Sequence, residues 1–121
     1  MPFREAFLLK PDWNDFAWVE VVITFTKVFL PGEPVALILF IDETKISSLE
    51  VQEAVVSVLS KVGDTEFADI VLLDKPEEIL DTLKGYACCY WISDETAGNM
   101  AALGPQAQRF FRSYLQGSTT G

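Results

Sequence analysis

Val35-Ala36-Leu37-Ile38-Leu39-Phe40-Ile41-Asp42 puts seven consecutive apolar residues against a closing carboxylate, and no other stretch narrows the choice of fold as much. The run is too short to span a membrane, and it lacks the polar alternation of a sheet with one wet face. It predicts a central strand covered on both sides. Pro31-Gly32-Glu33-Pro34 supplies a turn before it, and Asp42-Glu43-Thr44-Lys45 ends it abruptly. Strands buried on both faces belong to parallel sheets with helices above and below.

The remaining periodicities fit such a sheet. Glu5 to Leu9 reads as a first strand, stopped by Lys10-Pro11-Asp12. The turn that follows contains no glycine, so it lacks the loop by which a dinucleotide-binding unit brings pyrophosphate to a helix N-terminus. Phe16 to Leu30 is rich in β-branched residues but too long for a strand. Phe16, Val19, Val22, Ile23, Thr26 and Phe29 or Leu30 form a helical stripe, and a crossover between parallel strands is required here, so the segment is read as a helix capped by Asp12 or Asn14.

Ser47-Ser48-Leu49-Glu50 is a capping box opening a second helix, with Val51, Ala54, Val55, Val58, Leu59 and Val62 on its apolar face and Gly63 as C-cap. Ile70 to Leu73 is a third strand, followed by a short helix opened by Pro76 with Ile79, Leu80 and Leu83 buried. Tyr86 to Ile92 is a fourth strand, Asp94 to Leu103 a loose helical turn, and a last helix buries Ala107, Phe110, Phe111, Tyr114 and Leu115.

The expected fold is α/β: a Rossmann-like three-layer α/β/α sandwich with about four parallel strands and alternating helices. One domain spans residues 3–116, with 117–121 as a flexible tail.

Composition removes whole classes of chemistry. The chain has 18 acidic and 9 basic residues, a net charge of −9, which repels nucleic acid and anionic membranes. It has no histidine, which rules out Ser-His and Cys-His nucleophiles and histidine acid/base chemistry. No secretory leader, apolar span or lipidation signal is evident, so the expected location is cytoplasmic. Cys88 and Cys89 are adjacent in a strand, point to opposite faces and read as reduced core residues. No cofactor is expected.

Ligands of open α/β sheets bind at the carboxyl ends of the strands. Those ends supply Lys10, Asp42, Asp74 and Asp94, and the first loop adds Trp13. Three carboxylates on one rim could hold a divalent cation, or one could accept from a ribose hydroxyl, and Trp13 could stack on a base. The plainer alternative is that Asp74 and Asp94 cap helices, Asp42 solubilises a loop, and Trp13, Trp18 and Trp91 are packing residues. The paired acidic cluster of a response-regulator receiver is not evident after the first strand.

Phe7 to Asn14, Phe29 to Leu39, Ala68 to Asp74 and Tyr86 to Cys89 together resemble the C-terminal Rossmann-like half of a two-domain, GT-B type glycosyltransferase. More narrowly, they resemble the degenerate glycosyltransferase-like segments of bacterial multidomain proteins. Active enzymes of that type carry a glutamate-alanine-rich turn ending in glycine after the fourth strand. The comparable stretch is Asn99-Met100-Ala101-Ala102-Leu103-Gly104-Pro105, with Asn99 where a ribose-binding carboxylate is expected and Glu95 able to replace it only by a shift of register.

A lone half lacks the second wall that encloses a sugar donor, so the resemblance implies an accessory or incomplete module in sugar-transfer or cell-envelope metabolism, with a missing partner domain. Two alternatives stand beside it. One is a half that binds a nucleotide or nucleotide-sugar at Lys10, Trp13, Asp42, Asp74 and Asp94. The other is a scaffold that self-associates through the apolar helices at 16–30 or 110–115.

Overall fold

A computed structural model describes residues 4–62 and 68–120. Strands β1 (Glu5–Leu9), β2 (Val35–Phe40), β3 (Asp69–Leu73) and β4 (Cys88–Trp91) form an all-parallel sheet in the order β3-β2-β1-β4. Helices α1 (Ala17–Val28), α2 (Ser48–Val62), α3 (Ile79–Leu83), α4 (Asp94–Gly98) and α5 (Pro105–Thr120) alternate with them. Short 3-10 turns precede α3 (Pro76–Glu78) and α5 (Met100–Ala102). The expected Rossmann-like layered architecture is present, and the apolar run at 35–41 forms the interior strand β2.

Register assigns each residue to a face. Phe7, Leu37, Ile70 and Tyr90 lie side by side on one face, and Leu8, Ile38, Val71 and Trp91 on the other. The first face is thickly covered by α1, α2 and α5, with Phe7, Phe25, Phe29, Phe110 and Phe111 fully buried. Among the described residues, the second carries the five-residue α3 and a thin layer of Ala6, Leu8, Ile38 and Leu73, with Phe40, Val71, Tyr86 and Cys89 partly buried beside them.

Chain routing explains the asymmetry. β4 lies beyond β1, and α5 returns to the α1 side of the sheet, leaving the other side of β1 and β4 without a long helix. Trp91, on the edge strand, is therefore 53% exposed and stacks on Phe40 at 5.5 Å.

Several details differ from the sequence reading. The buried stripe of α1 is Trp18, Val21, Val22 and Phe25, continued by Phe29, while Phe16 and Leu30 are exposed. The helix rotates to bury its indole and phenyl groups because they remove more apolar surface from water than Val19 and Thr26 would. Neither Asp12 nor Asn14 caps it; Asp15 Oδ1 accepts from the Ala17 amide at 3.0 Å, and Asp12 Oδ1 accepts from Asn14. Ser47 Oγ accepts from the Glu50 amide as the capping box requires.

Leu80 points to solvent, leaving Ile79 and Leu83 to hold α3 on the sheet. The backbone of α5 is helical to Thr120, through most of the stretch read as a tail. The expected C-cap Gly63 lies outside the described residues. Cys88 and Cys89 are unpaired, half-buried and on opposite faces.

The helix segments that the sequence offers for self-association are covered within the chain only in part, since Phe16, Leu30 and Leu115 stay exposed. Phe25, Phe110 and Phe111 are fully buried, and Arg109 ties α5 to the α1–β2 loop through Glu33 at 2.6 Å and the Val28 carbonyl at 2.9 Å. Among the described residues, no helix is long and apolar enough to cross a membrane.

Candidate functional site

The carboxyl ends of β1, β2 and β3 open onto a cleft of about 560 Å³, within the range of small-molecule sites. It lies over the thinly covered face, floored by Leu8, Phe40 and Leu73 and walled by Ile79, Leu83 and Trp91. Lys10, Asp42 and Asp74 stand on its rim with Glu43, Thr44 and Lys75. Three of the five residues singled out from sequence thus converge, because each directly follows a strand and the strands end together.

The two aspartates are held differently. Asp42 Oδ1 accepts from the Thr44 amide at 3.0 Å and the Thr44 hydroxyl at 2.5 Å. These bonds, aided by the charges of Lys45 and Lys10, hold its carboxyl below the usual aspartate range, so it is an anion at neutral pH. Asp74 is half-buried and accepts from the Ser48 hydroxyl at 2.8 Å across the β3 end and the α2 start. It anchors a neighbouring helix instead of capping its own. Among the described residues, no hydrogen bond engages the other oxygen of either carboxylate.

Trp13 lines an adjoining hollow of about 450 Å³ with Lys10, Asp42 and Lys45. Its ring lies 5.0 Å from that of Trp18 and packs against the core. Its Nε1–H is buried without a partner among the described residues. Asp94 lies apart: it opens α4, whose N-cap is Ser93, and accepts from the Tyr114 hydroxyl at 3.4 Å. Asp42, Asp74 and Asp94, which as neighbours on one rim could hold a cation, are not brought together: among the described residues no three potential metal-ligating side chains cluster. The stacked Trp91–Phe40 pair is the part of the site that sequence reading misses.

A second polar constellation sits at the opposite, amino end of the sheet. Glu5 is fully buried, accepting from the Gln106 amide at 3.0 Å, the Tyr90 hydroxyl at 3.2 Å and the Ala107 amide. The first strand thereby caps the N-terminus of α5. Tyr90 in turn accepts from the Gly104 amide at 3.0 Å. Gly104 belongs to the stretch compared above with a donor-site turn; here it makes room for the Glu5 carboxylate.

Burial raises the Glu5 pKa despite these three bonds, and burial pushes the Tyr90 hydroxyl up to about 12, keeping it a donor. A carboxyl whose pKa is higher folded than unfolded binds more protons in the folded state. Its contribution to stability is fully present below the ordinary glutamate value and is lost as pH rises through the raised one. Glu5→Gln should therefore flatten the stability–pH profile over that interval at a cost of about 1 kcal/mol, since the amide still accepts from the helix. Urea melts from pH 4 to 8 measure it, and an unchanged profile would assign the slope to other groups.

The fold and cleft together define a small parallel α/β protein with a ligand-sized site at the carboxyl edge of its sheet. No family model matches the chain, and no curated protein or solved structure matches it at significance.

Proposed function

We propose that the protein is an accessory binding module, glycosyltransferase-like in fold and incomplete as an enzyme by itself, whose rim cleft takes a nucleoside-type ligand. One observation carries the reading: Lys10, Asp42 and Asp74 meet an exposed, stacked aromatic pair around a cleft of about 560 Å³ where α/β sheets bind ligands. Trp91 offers a face for a planar ring, and Asp42 and Asp74 offer anionic acceptors for hydroxyls. The link to sugar transfer rests on the sequence resemblance. Two unpaired thiols suit a reducing, cytoplasmic setting.

The test is an amide NMR titration of the full chain with nucleosides, nucleoside diphosphates and their sugar conjugates, with and without magnesium. Saturable shifts should concentrate at Lys10, Asp42 to Thr44, Asp74 and Trp91. Asp42→Ala should weaken them with little change in melting temperature. The absence of any saturable shift at millimolar ligand sinks the proposal.

A further inference from the structure

Given a ligand in the rim cleft, as just proposed, the geometry points to one without phosphate: an uncharged planar heterocycle bearing hydroxyls, of the nucleoside class. Phosphate recognition at a sheet edge relies on free amides at a helix N-terminus, often in a glycine-rich turn. At each N-terminus described at this edge an amide is already taken or missing, and the first turn carries carboxylates.

At α1, Asp15 takes the Ala17 amide, Asp12 takes the Asn14 amide, and Glu20 adds a third negative charge in the first turn. At α2, Ser47 Oγ takes the Glu50 amide, the Ser48 hydroxyl is given to Asp74, and Glu50 sits in the first turn. The 3-10 turn before α3 opens with Pro76, which has no amide hydrogen, followed by Glu77 and Glu78.

The lysines do not reverse this. Lys10 and Lys75 line the cleft against Asp42, Glu43 and Asp74, and Lys10 already acts on the Asp42 charge. The whole chain carries −9. A diphosphate placed here meets carboxylates without a cradle of amides, whereas sugar hydroxyls donate to the same carboxylates and the base stacks on Trp91.

The experiment compares adenosine, guanosine and uridine with their 5′-diphosphates at matched ionic strength, following the Trp91 indole N–H of the full chain by NMR. A nucleoside should bind at least ~10-fold tighter than its own diphosphate, with the gap narrowing as salt is raised. Asp42→Asn, which preserves the acceptor for Thr44, should weaken the nucleoside ~10-fold while leaving the diphosphate unchanged or improved. A diphosphate that binds as well as or better than its nucleoside, or an Asp42→Asn variant that weakens both alike, overturns this inference and leaves the proposed function standing. Silence from every compound overturns the proposed function and this inference with it.

Discussion

Phe7→Ala should cost about 3–5 kcal/mol, the range for removing a fully buried phenyl group. Phe7 sits in the middle of β1 with no exposed surface. Its ring centroid lies 4.8 Å from Phe110, 5.7 Å from Phe29, and 6.1 to 6.2 Å from Phe111, Phe25 and Tyr90. Those rings are carried by α1, the loop after it, α5 and β4, so four separately anchored segments would have to shift to fill the hole. Collapse is therefore limited, and most of the cavity cost remains.

Against a typical total stability of about 5–15 kcal/mol, the variant should stand near the edge of folding. Phe7→Leu keeps most of the volume and should cost less than about 1.5 kcal/mol, which keeps the comparison measurable if the alanine variant fails to fold. Denaturant melts with an unchanged slope would report a true stability loss. A Phe7→Ala cost below about 1.5 kcal/mol, the mild end of core substitutions, would mean that the aromatic cluster does not bear the packing assigned to it.

Gly104→Ala is the second large effect, and its cause is space, since Gly32 alone among the described glycines has a positive φ. A methyl group at Gly104 would occupy the Glu5 carboxylate position and come within 3.1 Å of the Tyr90 oxygen. The carboxylate is the movable end of a side chain, but moving it breaks the bonds from Gln106, Ala107 and Tyr90. It also leaves a charge buried and an α5 N-terminus uncapped. We expect a loss of about 3 kcal/mol, in the range for unpairing a buried charged group.

The mechanism predicts strong non-additivity. In a Glu5→Ala background the space is already vacant, so Gly104→Ala should then cost less than about 1 kcal/mol, a coupling of about 2 kcal/mol or more. Additive costs for the two substitutions would show that Gly104 serves something other than the Glu5 carboxylate.

These residues also show where sequence reading reaches its limit. β2 was legible because seven apolar residues between a Pro-Gly turn and an aspartate leave little else to form. The rim group Lys10, Asp42 and Asp74 was legible because a strand boundary fixes where the next residue must be. Glu5 was not, because a carboxylate beginning a strand looks like a solvated end, and its partner Gln106 lies 101 residues away.

The amino-end role of Gly104 was hidden for the same reason: a Gly-Pro pair reads as punctuation until the third dimension places it on Glu5. Trp91, read as a packing residue, does pack on Phe40 but stays 53% exposed, because the return of α5 to the α1 side leaves the other layer thin. Asp94 followed a strand as the other rim residues do, yet it turns toward α5 and Tyr114, away from the cleft.

The central claim, a binding site between the Trp91–Phe40 stack and the Asp42–Asp74 rim, is tested most directly by locating a bound ring. Intermolecular nuclear Overhauser effects from a saturating nucleoside should connect its base protons to the Trp91 indole and the side chains of Leu8 and Leu83, and its sugar protons to Thr44. Contacts from the base only to the α1–α2 groove around Phe16 and Val58, or to no residue of the rim, would contradict the account.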